Sequence, residues 1–377
     1  MSNTRLLVLE QFPLFPGGNH RGAGSLHESR AFPAHEINKP MKLKNALFFG
    51  KRLLTDFNEN KHLAICTDNK STELTYYYFL FEEDKINTRG GNHPFQFDEA
   101  GIPLVHSYID VVDGKGYYYY PITIGQYALA VFHSWLKTHD SEKKAYFLRF
   151  ADWFMQQREE SPELGCYWLT ETAKPEYRVT TPWKSAFTQS RAISILLRAW
   201  QMTRNTEYLH TATLALIPFT KDISEGGVSV DQAIGETFYE EYTATCPTRV
   251  LDGHIFSLFG LHDYIRAVPE EVNPDGHALA LHLFKEGVEG LIRQLPKFDM
   301  GYWSRFNRCD LPGYPQNDPC TIGYLRLVRH QLLVLHQITG KEELHAYSEK
   351  FRRYDNIRNI LKMYRHKFKA LKKLNRL

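Results

Sequence analysis

The chain has 377 residues, a formal net charge of +3 and a hydrophobic fraction of 43%. That length and apolar content suffice for one large domain with a smaller one beside it. The nearly balanced charge excludes a protein whose whole surface is built to hold polyanions.

Residues 1–43 are rich in Gly, Pro and His without periodicity and predict an irregular arm. Its opening, "MSNTRLLVLEQFPLFPGGNH", is broken by Glu10 and Pro13 too soon to act as an export signal. Over 44–113 the texture changes to short β-branched and aromatic runs, "NALFFGKRLL", "HLAICT" and "LTYYYFLFE", punctuated by "NEN", "DNKS" and "RGGN". This predicts a small antiparallel β unit. The run Tyr117–Tyr120 lies between Gly116 and Pro121, and a cleft loop and a buried strand are both open for it.

Beyond Tyr120 the apolar residues recur at helical spacing. The segments are "ITIGQYALAVFHSWLKT", "KKAYFLRFADWFMQQRE", "AFTQSRAISILLRAWQMT", "TEYLHTATLALIPFTK", "VLDGHIFSLFGLHDYIRAV", "HALALHLFKEGVEGLIRQLP", "TIGYLRLVRHQLLVLHQITG" and "EELHAYSEKFRRYDNIRNILKM". The fold class expected is therefore α+β but mainly α: an α/α barrel, or toroid, of about eight helices over 114–350, preceded by the small β unit. From Phe351 the chain carries ten Lys or Arg against one Asp. For this basic helix, 351–377, a solvated face and a contact with a membrane surface or other polyanion both stand.

The cysteines Cys66, Cys166, Cys246, Cys309 and Cys320 include no CxxC pair, which predicts reduced thiols, with a Cys309–Cys320 bridge as the alternative. The histidines show no metal spacing, and Asp98, Glu99, Asp110 and Asp113 lack that of a calcium loop, so no metal is expected. No apolar run reaches bilayer length. The expectation is a cytoplasmic chain, with a membrane-peripheral location as its variant.

The densest concentration of ionisable groups is "FYEEYTATCPTRVLDGHIFSLFGLHDY", Phe238–Tyr264. Read alone, its glutamates are a charged lip facing solvent before a helix. Together with "GIPLVHSYIDVVDGKGYYYYPITIGQYALA", "TPWKSAFTQSRAISILLRAW", "DMGYWSRFN" and "YLRLVRHQLLVLHQITG", in this order over Gly101–Gly340, it resembles the C-terminal domain of the heparosan and heparan sulfate D-glucuronyl C5-epimerase family. The resemblance implies an isomerase that inverts C5 of glucuronate in a polymer, without a cofactor. It carries proton-transfer roles to Glu241, Tyr242 and Tyr324, while Glu240 keeps the solvent-facing reading. The family's second tyrosine falls on Phe306, the histidines of its Tyr-His-x-x-His are lost in Tyr324–Val328, its arginine falls on Cys309, and the asparagine of its Leu-Asn-Gly is Asp252. Tyr302 and Tyr314 are candidates to replace the missing phenol.

The candidate substrate-binding residues are Asp252, Trp183, Lys184, Tyr302 and Trp303, with Arg305 and Arg326 as carboxylate grips and Arg191 and Arg329 as weaker ones. For the aromatic residues a hydrophobic lid is the competing reading. The partners expected are an acidic, uronate-containing polysaccharide and a second copy of the chain in a homodimer, with no nucleic acid. A uronate lyase and a non-catalytic polysaccharide-binding homologue are the alternatives to an epimerase.

Overall fold

The computed structural model describes residues 57, 61, 63–87, 95–106, 116–179 and 182–374. The arm over 1–43, the "NALFFGKRLL" run, Asp110 and Asp113 lie outside these residues. Among the described residues the chain is mainly helical, with ten α-helices and three small antiparallel sheets.

A short helix, α1 (Glu83–Asn87), follows a β-bridge between Ile65 and Phe79. Strands β1 (Gln96–Phe97), β2 (Pro103–His106) and β3 (Tyr117–Tyr119) then form an antiparallel sheet in that order. This settles the tyrosine run: it pairs as a strand, Leu104 opposite Tyr119, with Tyr118 buried and Tyr119 exposed. The side-chain alternation of a strand puts one ring in the core and the next in water.

Four helical hairpins follow: α2 (Pro121–Thr138) with α3 (Ser141–Gln156), α4 (Ala186–Thr203) with α5 (Thr206–Leu214), α6 (Leu251–Ala267) with α7 (Pro274–Phe298), and α8 (Ile322–Thr339) with α9 (Glu342–Tyr354). The first helices of the hairpins also touch in succession, α2 on α4, α4 on α6 and α6 on α8. Helices α4 and α6 are buried on nearly every face, as is α2 over its first three and a half turns. That all-round burial makes them the core, and the second members of the pairs lie against its outside with one apolar face inward. Two hairpins, β4 (Glu159–Ser161) with β5 (Gly165–Tyr167) and β6 (Ser229–Val230) with β7 (Phe238–Tyr239), sit in the connections.

Two helices are interrupted where periodicity alone predicts continuity. After Leu214 the chain passes into a 3-10 turn, Ile217–Thr220, because Pro218 supplies no amide hydrogen and cannot extend α5. The segment read as one helix over 342–363 breaks at Asp355–Asn356, where the Asn356 side chain accepts from the Asn359 amide and caps a new helix, α10 (Ile357–Lys373). All five cysteines are free thiols. Among the described residues no helix is long and apolar enough to cross a membrane.

Candidate active site

The starts of α2, α4, α6 and α8 meet at one end of the helical core. Tyr120, which precedes α2, has its ring 6.4 Å from that of Trp183, just before α4. The Ala186 amide at the start of α4 donates to the Glu240 carbonyl (2.9 Å), and the Leu251 amide at the start of α6 donates to the Phe306 carbonyl (3.3 Å). The Phe306 ring in turn stands edge-on to Tyr324, in the first turn of α8, at 5.2 Å. Converging helix N-termini place a positive partial potential on this end, suited to negative charge.

Both glutamates of the motif are buried, which corrects the solvent-facing reading of Glu240. Glu240 is a structural bracket: its carboxylate accepts from the Thr248 amide (3.0 Å) and hydroxyl and from the Arg249 amide (2.9 Å). Arg249 pairs beyond it with Asp231 (2.6 Å) and Asp310 (2.8 Å). Burial pushes the Glu240 carboxyl up to about 7 against these donors. Having met its partners within the loop, it pins the turn that presents its neighbour.

Glu241 lies over the first turn of α6. A β-carbon at Gly253 would stand 2.4 Å from its Oε2 and 2.7 Å from its Cβ, so glycine is required there by close approach. Burial raises Glu241 to about 7, while a hydrogen bond from Tyr242 and the charge of Lys174 pull it down. Asp252, next to that glycine, is buried as well; burial and then the Glu241 charge hold it well above the usual carboxylate range, against backbone amides of its own turn. Two carboxyl groups this close and dry do not ionise together.

Tyr242 is walled in by aromatic rings. It stacks on Tyr177 (5.1 Å) and meets Trp183 (5.2 Å), while the Lys174 ammonium lies 5.2 Å from its ring and 5.1 Å from that of Tyr120. Burial, followed by the charge of Glu241, keeps its phenol well above the ordinary value. On the far side of Tyr177 a polar chain continues. Asn307 Nδ2 donates to the hydroxyls of Tyr177 and Tyr314 (2.9 Å each), and Tyr314 donates to Asp318 (3.1 Å). Asp318 pairs with Lys367 of α10 (2.7 Å), whose ammonium is 5.6 Å from the Phe306 ring.

The structure therefore brings together Glu241, Tyr242, Asp252 and Trp183, with Tyr324 beside Phe306. Lys184 is next to Trp183, but its ammonium lies over the Tyr167 ring (4.6 Å), where burial lowers its pKa. Trp303 is fully buried and donates to the Cys320 carbonyl (2.8 Å), a packing role. Tyr302 faces α10, hydrogen-bonded to His366 with Lys362 over its ring (3.9 Å). The two arginine grips are committed elsewhere: Arg305 donates to the Lys297 carbonyl (2.9 Å) and the Gln316 carbonyl (3.3 Å). Arg326 donates to Asp355 and to the Phe57 carbonyl, each at 2.7 Å, closing the corner between α8 and α10. Of the weaker grips, Arg191 is fully buried among the rings of Tyr77, Phe187 and Phe256, and Arg329 contacts His330 (2.9 Å).

Lys174, Tyr177 and Lys367 carried no signal of their own in the sequence, and Asn307 closes the quoted "DMGYWSRFN" stretch without standing out in it. The first two sit in an irregular connection, and Lys367 is one cation among the ten of the basic run.

A raised carboxyl pair, buried phenols and an ammonium gathered at helix N-termini form the candidate active site of a mainly helical domain. Residues 163–353 match the family model described as "D-glucuronyl C5-epimerase C-terminus", and the chain belongs to that family. It is 26% identical over 277 residues to an uncharacterised protein of Methanocaldococcus jannaschii, covering 69% of this chain and 85% of that one. It is also 32% identical over 162 residues to the D-glucuronyl C5-epimerase of Caenorhabditis elegans, covering 41% of this chain. The match spans 26% of the nematode enzyme's own length.

Proposed function

We propose that the protein is a cofactor-independent epimerase that inverts C5 of D-glucuronate to L-iduronate within a heparosan-like acidic polysaccharide, and that its four hairpins belong to an α/α toroid. The observation that carries this reading is the buried Glu241 carboxyl, seated over the first turn of α6 beside Asp252 and against Tyr242. Family membership supports the reaction class, and the successive contacts of α2, α4, α6 and α8 support the toroid.

The C5 hydrogen lies α to a carboxylate, so its loss sends an electron pair into that group and gives an enediolate. Removal needs a base matched to the working pH, and the developing charge needs cations or hydrogen-bond donors around it. Glu241 takes the proton on one face. Lys174 and Tyr242 hold the carboxyl group, Trp183 packs against the sugar, and the Tyr324 hydroxyl gives a proton to C5 from the other face, after which Glu241 releases its proton to solvent and the Tyr324 phenolate takes one from it. Neither step requires oxidation or reduction.

The experiment is proton NMR of N-acetylheparosan before and after incubation with the protein. Iduronate signals without a fall in chain length support the proposal. An unsaturated uronate with chain shortening would make the protein a lyase instead.

One observation favours a second reading, that of a non-catalytic polysaccharide-binding homologue. The ring that faces Tyr324 belongs to Phe306 and carries no hydroxyl. Saturable binding of the polymer with no change in its uronate would establish that reading.

A further inference from the structure

Helix α10 (Ile357–Lys373) contains seven Lys or Arg and no acidic residue. Among the described residues it enters one ion pair, that of Lys367 with Asp318. One side is anchored in the body of the protein through Ile360, Met363, Ala370 and Leu371. Beside that buried side, at helical spacing, Ile357, Leu361 and Phe368 stand 63%, 62% and 50% exposed. At 100° per residue these three share a narrow stripe, and the exposed Arg358, Arg365, Lys369 and Lys372 form the adjoining one. The apolar sector is therefore wider than the domain covers, and cations line its uncovered edge.

We propose that this face of α10 is a docking surface for an anionic lipid bilayer, lying in the interface with Ile357, Leu361 and Phe368 below the headgroups and the cationic stripe at headgroup level. The charge pattern selects this occupant. A lipid surface takes both stripes at once, the side chains into the acyl boundary and the ammonium and guanidinium groups onto phosphates. A soluble acidic polysaccharide would engage the cations and leave the three apolar side chains in water. A second copy of the chain applied through the same stripe would bring two rows of like charge together. Because Lys367 and the buried residues hold the helix to the domain, the surface is presented rigidly and does not depend on the reaction proposed above.

The test is flotation of the full chain with vesicles of phosphatidylcholine alone and of phosphatidylcholine mixed with phosphatidylglycerol. The protein is expected to float with the mixed vesicles only. Leu361→Asp and Phe368→Asp together should weaken that binding by at least about tenfold with an unchanged melting temperature, since both side chains are exposed. Arg365→Glu with Lys369→Glu should abolish the preference for the anionic lipid. The proposal is overturned if the chain fails to float with mixed vesicles, or if the Asp substitutions leave flotation intact. It is equally overturned if they convert a dimer that ignores vesicles into a monomer, or if the α10 cations bind a uronate polymer while vesicles bind nothing.

Discussion

Replacing Glu241 by Gln keeps the volume and most of the packing of a side chain that is 4% exposed, and removes one ionisable group. The folded state pushes that carboxyl up to about 7 from an ordinary glutamate value of 4.5. A raised folded pKa means that the native state binds the extra proton, so its contribution to stability is full below the unfolded pKa and is lost as pH rises through about 7. At 1.36 kcal/mol per tenfold, ionising Glu241 in place costs the fold on the order of 3 kcal/mol above neutrality. Glu241→Gln should therefore melt higher than the parent at about pH 8 and nearly level with it at about pH 5. The same variant should lose roughly 10²–10⁴ in epimerisation rate, the span a positioned base contributes. The assay pairs thermal unfolding at the two pH values with turnover on N-acetylheparosan. A variant that turns over normally, or that loses activity only because it unfolds, refutes the assignment of Glu241 as the base.

Other expectations follow from the same geometry. Gly253→Ala puts a methyl group 2.4 Å from Glu241 Oε2, so the carboxylate must move; it should cost about 1–3 kcal/mol in denaturant unfolding and reduce kcat by more than about tenfold. Lys174→Met withdraws a charge that favours ionised Glu241, and the acidic limb of the pH–rate profile should move to higher pH, whereas an unmoved limb separates Lys174 from the base. Phe306→Tyr restores a hydroxyl opposite Tyr324, 5.2 Å away between ring centroids, and should raise kcat, read as initial rate at saturating polymer.

Much of the helical core was legible because its apolar periodicity is strong, and all eight segments read from it begin as helices within three residues of the expected start. The breaks at Pro218 and Asn356 were harder. Helix α9 and helix α10 share one amphipathic pattern, and only the Asn356 cap and the change of packing partner divide them. In the site, Glu241, Tyr242, Asp252 and Tyr324 could be named from one motif and one helix start. Burial of Glu240 could not, because its donors are the Thr248 and Arg249 amides of a folded turn. Lys174, Tyr177 and Lys367 reach the site from an irregular connection and from the last helix, across distances in sequence that no local pattern spans. Arg305 and Arg326 show the converse: the right side chains near the motif, already taken up by carbonyls and Asp355.

The central claim is that the Glu241 end of the helical core removes and returns the proton on C5. Incubating N-acetylheparosan with the protein in heavy water, then locating deuterium by NMR, tests it most directly. The account predicts deuterium at C5 of both glucuronate and newly formed iduronate, with chain length unchanged and incorporation abolished by Glu241→Gln. Absence of deuterium at C5 across heparosan and other uronate polymers, with the folded protein present throughout, would contradict it.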